Sequence, residues 1–277
     1  MDDLVSTDWL EPRLGEEDLR ILDASFHLPA SGREARAEFA ETHIPGAQFL
    51  DIDEVADRDH PAPHMLPSPE IFAAAMEQLG VGSDDRIIVY DNSPLRTAAR
   101  GWFMLRHFGA RQVAILDGGM QKWVAEGRPV ESGAPRSGMA TFVSRSPQMS
   151  LIDKAEILAG NAGPIVDARG PERFAGKVPE PREGLEAGHI PGAANLPYSA
   201  LFRDDGRYKA RAALEAAFAG AGVDPSRPFT ASCGSGVTAC SLIFAARLLG
   251  HEGHALYDGS WSEWGADPDT PKEKSAA

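Results

Sequence analysis

Hydrophobic positions along the chain fall into two patterns that take turns. Short runs rich in Ile, Val and Leu have the length and side-chain types of buried strands: Leu19-Arg20-Ile21-Leu22-Asp23-Ala24, Arg86-Ile87-Ile88-Val89-Tyr90, Gln112-Val113-Ala114-Ile115-Leu116 and Pro164-Ile165-Val166-Asp167-Ala168-Arg169. Between them, Ile71 to Leu79 and Ala98 to His107 carry apolar residues at helical spacing. Strands alternating with helices predict an α/β fold, a mostly parallel sheet with helices on both faces. Active residues then belong at the carboxyl ends of strands.

The pattern is used twice. The Asp23 strand is followed by Phe39-Ala40-Glu41-Thr42-His43-Ile44-Pro45-Gly46-Ala47, and the Asp167 strand by Glu186-Ala187-Gly188-His189-Ile190-Pro191-Gly192-Ala193. Asp23 and Asp167 are 144 residues apart, His43 and His189 146. A third match, 141 residues apart, sets Leu116-Asp117-Gly118-Gly119-Met120 and Trp123 beside Tyr257-Asp258-Gly259-Ser260-Trp261 and Trp264. Three matches in one order predict a duplicated domain. We expect an N-terminal domain over 1–127, a linker over 128–147 and a C-terminal domain over 148–277, because Gly127 to Pro147 has no apolar period and reads as exposed. Each Pro-Gly predicts a tight turn with positive φ at the glycine. His43 and His189 are read as structural, and Asp23, Asp167 and Arg169 as turn and ion-pair formers.

Composition narrows the partners. At 277 residues and 43% hydrophobic content the chain can fill two cores. Its 27 basic and 41 acidic residues leave a net charge of −14, which argues against nucleic acid or an anionic membrane as partner. An anionic substrate then needs a local cluster of arginines. The start, MDDLVSTDWLEP, lacks the basic and apolar parts of a secretory signal, and no run approaches the ~18 apolar residues of a membrane span, so a soluble, cytoplasmic protein is expected. Two cysteines, Cys233 and Cys240, are too few for a disulfide framework and, two helical turns apart, too distant to bridge. Cys240 is expected to face the core. No Cys and His set has zinc spacing and no phosphate loop or dinucleotide fingerprint occurs, so neither metal nor cofactor is expected.

Chemistry concentrates between Pro228 and Leu249. There an apolar run meets Cys233-Gly234-Ser235-Gly236-Val237-Thr238 and then an amphipathic helix. Two glycines let the backbone curl so that successive N–H groups point at the sulfur, and the positive end of the helix adds to them. Such a setting favours a nucleophilic thiolate. A cysteine phosphatase needs an arginine six residues after the nucleophile, and that position is Ala239. The hexapeptide instead resembles the active-site loop of the rhodanese-like sulfurtransferases, in the form of those that use 3-mercaptopyruvate; thiosulfate-using relatives carry basic residues at the positions of Gly234 and Ser235. The resemblance implies two tandem rhodanese-like domains covering nearly the whole chain. Counting back 141 residues from the Asp258 match sets Asn92 opposite Cys233, so only the C-terminal domain is expected to carry the nucleophile.

The resemblance also implies the rest of the site. Gly170-Pro171-Glu172-Arg173-Phe174 and Val178-Pro179-Glu180-Pro181-Arg182-Glu183-Gly184 lie in an insertion that the first half lacks. They are similar to the family's GRF and PEPR elements, whose substrate-binding arginines map onto Arg173 and Arg182; Glu172 departs from the family's glycine. Phe49 to Glu54 and the proline-rich His60 to Pro67 resemble its DID and HML elements, placing Asp53 and His64 beside the catalytic loop as a relay with Ser235. Gly234, Gly236, Val237 and Thr238 would bind the substrate through the loop backbone. The implied activity takes sulfur from the small-molecule donor 3-mercaptopyruvate onto Cys233 as a persulfide, releases pyruvate and passes the sulfur to cyanide, a thiol or a thioredoxin-like acceptor. Two alternatives stay open: a thiosulfate:cyanide sulfurtransferase on the same fold, and a persulfide carrier that turns over no small molecule.

Overall fold

The computed structural model describes residues 1–134, 138–145, 147 and 149–275. They form two compact units. One comprises Met1–Ala56, Leu66–Gln148 and Arg203–Tyr208, the other Asp57–Met65, Met149–Phe202 and Lys209–Ala277. Each unit therefore takes in a short segment from the other half of the chain.

The first unit holds β1 (Leu4–Val5), β2 (Leu19–Asp23), β3 (Gln48–Phe49), β4 (Arg86–Tyr90) and β5 (Gln112–Leu116), with α1 (Thr7–Leu10), α2 (Ala35–Glu41), α3 (Pro69–Gln78), α4 (Ala98–His107) and α5 (Gly119–Ala125). Its sheet order is β1-β5-β4-β2-β3, every pair parallel, with Ile21 beside Ile88 and Ile88 beside Ala114. The apolar run Ile87–Tyr90 is fully buried, as a central parallel strand covered on both faces requires. The second unit repeats the topology as β6-β10-β9-β7-β8, again all parallel. Its strands are β6 (Ser150–Ile152), β7 (Ile165–Asp167), β8 (Ala194–Asn195), β9 (Thr230–Ser232) and β10 (Ala255–Tyr257), and its helices α6 (Lys154–Leu158), α7 (Pro171–Phe174), α8 (Arg211–Gly220), α9 (Ala239–Leu248) and α10 (Ser260–Trp264). β9 lies at the centre of this sheet, so its carboxyl end opens onto the middle of one edge.

The repeated turns have the expected form. Ala47 and Ala193 donate N–H bonds to Ile44 and Ile190 carbonyls at 2.9 and 3.0 Å, and Gly46 and Gly192 both have φ of 76°. His43 and His189 are structural: each Nδ1 meets a carbonyl, of Phe39 at 2.7 Å and Phe174 at 2.8 Å, and each ring stacks on that phenylalanine. The segment expected as an exposed linker is exposed over most of its described residues but is tied to the first unit at single points. Glu131 pairs with His43, Phe142 is buried with its ring 5.5 Å from that of Phe72, and Val143 donates its N–H to Ser83 Oγ. Single-residue anchors hold it along the first unit, which is why it shows no period in sequence; residues 135–137, 146 and 148 lie outside the described residues.

Candidate active site

The loop from Cys233 to Thr238 joins β9 to α9. Gly236, at φ 72°, makes the reversal that a residue with a Cβ adopts only at a cost. Cys233 is 1% exposed. The loop is fastened from the turn between β10 and α10. Cys233 and Gly236 donate their N–H groups to Ser260 Oγ at 3.0 and 3.1 Å, and the Ser260 hydroxyl donates to the Tyr257 carbonyl at 2.8 Å. Trp261 N–H donates to the Cys233 carbonyl at 3.0 Å, and Ser262 donates both its N–H and its hydroxyl to the Gly234 carbonyl, at 2.8 and 2.7 Å. Cys240 is buried, as expected, and its thiol donates to the Gly236 carbonyl at 3.2 Å.

Not every loop N–H is therefore aimed at the sulfur; those of Cys233 and Gly236 are spent on Ser260. Ser260 Oγ stands 4.0 Å from Cys233 Sγ. Sequence reading missed Ser260 as a site residue. Its signal was the one serine in a repeat otherwise matched by Gly119, and it sits at φ 49°, a left-handed conformation that costs a serine roughly 1–2 kcal/mol.

Of the expected site residues, the structure brings His64 and Ser235 together: His64 Nδ1 is 2.8 Å from Ser235 Oγ. His64 is 4% exposed and also has positive φ, 62°. Arg173, on α7, has Nη2 and Nη1 3.2 and 3.9 Å from the point that a β carbon on Gly234 would occupy, so the guanidinium lies against the Cys233 loop. Arg173 also pairs with Glu180, a carboxylate whose side chain is buried. Arg182 is half-buried in the loop that follows. Asp53 belongs to the first unit, where it is exposed and its N–H donates to Asp51 Oδ1 at 3.1 Å.

The first unit has a corresponding loop, and its bonds fix the register. Ala24 N–H donates to the Tyr90 carbonyl as Ala168 N–H does to that of Ser232, and Met120 N–H donates to the Asp91 carbonyl as Trp261 N–H does to that of Cys233. The residue opposite Cys233 is therefore Asp91, not Asn92. The helix starts Ala98 and Ala239 are 141 residues apart, whereas Asp91 and Cys233 are 142 apart, so the first loop is one residue longer. Both cysteines lie in the second half, so the first unit lacks a cysteine nucleophile.

Among the described residues, no group of three or more His, Cys, Asp or Glu side chains is placed to hold a metal ion, and no helix is long and apolar enough to cross a membrane. A duplicated parallel sheet, with a cysteine in a glycine-bearing loop between central strand and helix, defines a class of α/β domain that carries a thiol at the carboxyl end of its central strand. The family model described as "Rhodanese-like domain" matches residues 6–126 and 150–267, and the chain belongs to that family. It is 42% identical over 273 residues to the 3-mercaptopyruvate sulfurtransferase of Escherichia coli (strain K12), covering 97% of each protein. It is also 43% identical over 272 residues to the thiosulfate sulfurtransferase of Gallus gallus, covering 94% of this chain and 92% of that one. The crystal structure of SseA from Escherichia coli, described with the catalytic mechanism of 3-mercaptopyruvate enzymes, superposes with a TM-score of 0.85 at 39% identity, covering 95% of this chain and 100% of that one.

Proposed function

We infer that this chain is a sulfurtransferase that takes sulfur from 3-mercaptopyruvate onto Cys233, releases pyruvate and hands the sulfur to a thiol or to cyanide. The observation that carries the reading is a buried Cys233 in a loop whose neighbours Gly234 and Ser235 bring no charge, with His64 on Ser235 and a guanidinium against Gly234. The Cys233 thiolate attacks the donor's sulfur. A sulfur–sulfur bond forms, the carbon–sulfur bond breaks, and its electron pair leaves as the enolate of pyruvate. Arg173 and Arg182 hold the donor's carboxylate, and a proton moving through His64 and Ser235 to the methylene carbon completes pyruvate. Asp53 is assigned to that relay on the resemblance alone.

The persulfide's outer sulfur rests on the N–H groups of Gly234, Ser235, Val237 and Thr238 and on the positive end of α9. A thiolate, for example that of a thioredoxin-like protein, then attacks the outer sulfur and restores Cys233, so kinetics are ping-pong. The Gallus gallus relative keeps thiosulfate as the second reading. Purified protein given 3-mercaptopyruvate and a thiol should release pyruvate, and without acceptor should gain one sulfur atom by intact mass. Sulfite from thiosulfate with no pyruvate from mercaptopyruvate would install the second reading; neither product would leave a carrier.

A further inference from the structure

Glu180 takes no part in the steps above, yet its side chain is only 1% exposed and stands between two arginines. Arg169 Nη1 donates to Glu180 Oε1 at 2.8 Å; Arg173 donates its Nε to Oε1 at 3.4 Å and its Nη2 to Oε2. Arg169 is itself fixed. It donates to both Asp167 oxygens and to the Gly188 carbonyl, and its guanidinium lies 4.5 Å from the centre of the Trp261 ring. Asp167, Arg169, Glu180 and Arg173 thus form a chain of alternating charge, anchored in the core at one end. Arg173, with a side chain 28% exposed, is the end that reaches the site.

A guanidinium can pair bidentately through its Nε/Nη2 side or through its two Nη groups. Glu180 takes the first of these. The second is the one whose atoms lie 3.2 and 3.9 Å from the β position of Gly234. We propose that Glu180 is a positioning residue: by holding the Nε/Nη2 side of Arg173 it turns the other face to the donor's carboxylate beside Gly234. This rests on the reading of Arg173 as a donor anchor. Without the carboxylate, a flexible side chain must be ordered by the substrate itself, and that cost falls on binding rather than on the chemical step.

Four variants test it by steady-state pyruvate release: Glu180→Gln, Glu180→Asp, Arg173→Met and the Glu180→Gln/Arg173→Met double substitution. Glu180→Gln should raise KM for 3-mercaptopyruvate about tenfold, the size of one charge-assisted hydrogen bond, with kcat within about twofold. Once Arg173 is Met, the same change at 180 should move KM less than about twofold, because no guanidinium remains to be turned. Glu180→Asp, which keeps the charge but withdraws it, should also raise KM and serves if Glu180→Gln does not melt cooperatively. A Glu180→Gln enzyme with wild-type KM, or one whose loss is undiminished in the Arg173→Met background, overturns the proposal. Absence of pyruvate release from the wild type would instead remove the functional reading.

Discussion

Ser260 offers the sharpest test of how the Cys233 loop is held. Ser260→Ala removes the acceptor of two buried N–H groups and the donor to one carbonyl, at a residue that is 0% exposed. Each such group left unpaired costs roughly 1–3 kcal/mol, and loop relaxation recovers part, so a loss of about 2–4 kcal/mol is expected. Ser260→Gly loses the same bonds but escapes the left-handed strain, roughly 1–2 kcal/mol for a residue with a Cβ, and gives back ~0.4–1 kcal/mol through a more flexible unfolded chain. Glycine should therefore be the milder substitution by about 0.5–1 kcal/mol, although it is the more drastic one in most settings. Gly119, at φ 56°, already occupies this place in the first unit. Urea unfolding of both variants, with sulfur loading followed by intact mass, measures the order. Ser260→Ala within about 0.5 kcal/mol of the wild type, or more stable than Ser260→Gly, refutes the reasoning.

Cys233→Ser should abolish both turnover and the gain of one sulfur atom on donor treatment, while Cys240→Ser, which keeps a donor toward Gly236, should leave both largely intact; intact-mass measurement decides. Arg182→Ala, and to a lesser extent Arg173→Ala, should lower kcat/KM for 3-mercaptopyruvate by roughly 10–150-fold, the range of a lost charged hydrogen bond; Arg173→Ala should also lower the melting temperature, because it leaves the buried Glu180 carboxylate with Arg169 alone. Burial pushes the Asp23 carboxyl up to about 7, against hydrogen bonds from Ser25 that lower it. The folded chain thus holds an extra proton between about pH 4 and 7, and stability should fall as pH rises through that window; in Asp23→Asn the slope should flatten by up to about 1.4 kcal/mol per pH unit, read from urea midpoints. Gly234→Arg with Ser235→Lys should raise kcat/KM for thiosulfate itself; a fall for mercaptopyruvate alone would not count, since the new side chains meet Arg173 and remove the hydroxyl paired with His64.

Much of the fold could be read because it rests on patterns repeated along the chain. Ile87–Tyr90 is apolar throughout since the strand is covered on both faces, and the Ile-Pro-Gly-Ala turns recur because the same φ is needed twice. What escaped depends on pairing between distant residues. β1 and β6 are two and three residues long, too short to show a period, and exist through their parallel partners β5 and β10. Phe142 and Glu131 anchor the largely exposed segment between the repeats singly. Residues 57–65 and 203–208 look like loops of their own halves, yet they pack with the other unit. The candidate loop at Cys233 stands out by the chemistry of six residues, whereas Ser260, which bonds to that loop, and Glu180, which bonds to Arg173, lie 27 and 53 positions from Cys233 and carry no local motif.

The one-residue difference between the two loops bears on what Cys233 is for. In the first unit Asp91 stands where Cys233 stands in the second, and its carboxyl oxygens accept the N–H groups of Ser93 at 2.9 Å and of Ala98, the first residue of α4, at 2.8 Å. Burial pushes that carboxyl above the usual range while those two bonds pull the other way. The turn between central strand and helix in that unit is thus filled by a carboxyl group of the chain itself. In the second unit a thiol stands in place of the carboxyl, the loop is a residue shorter, and a different pair of N–H groups, those of Cys233 and Gly236, is taken by Ser260. The positions matching Ser93 and Ala98 are Ser235 and Ala239, so the N–H groups that the first unit gives to its own carboxyl are not the ones that Ser260 holds in the second. The two copies share a strand, loop and helix, and three changes separate them: Cys233 for Asp91, one residue fewer in the loop, and Ser260 for Gly119, so the first copy closes its turn with its own carboxyl while the second is fastened from the turn after β10 and keeps a thiol at the end of the strand.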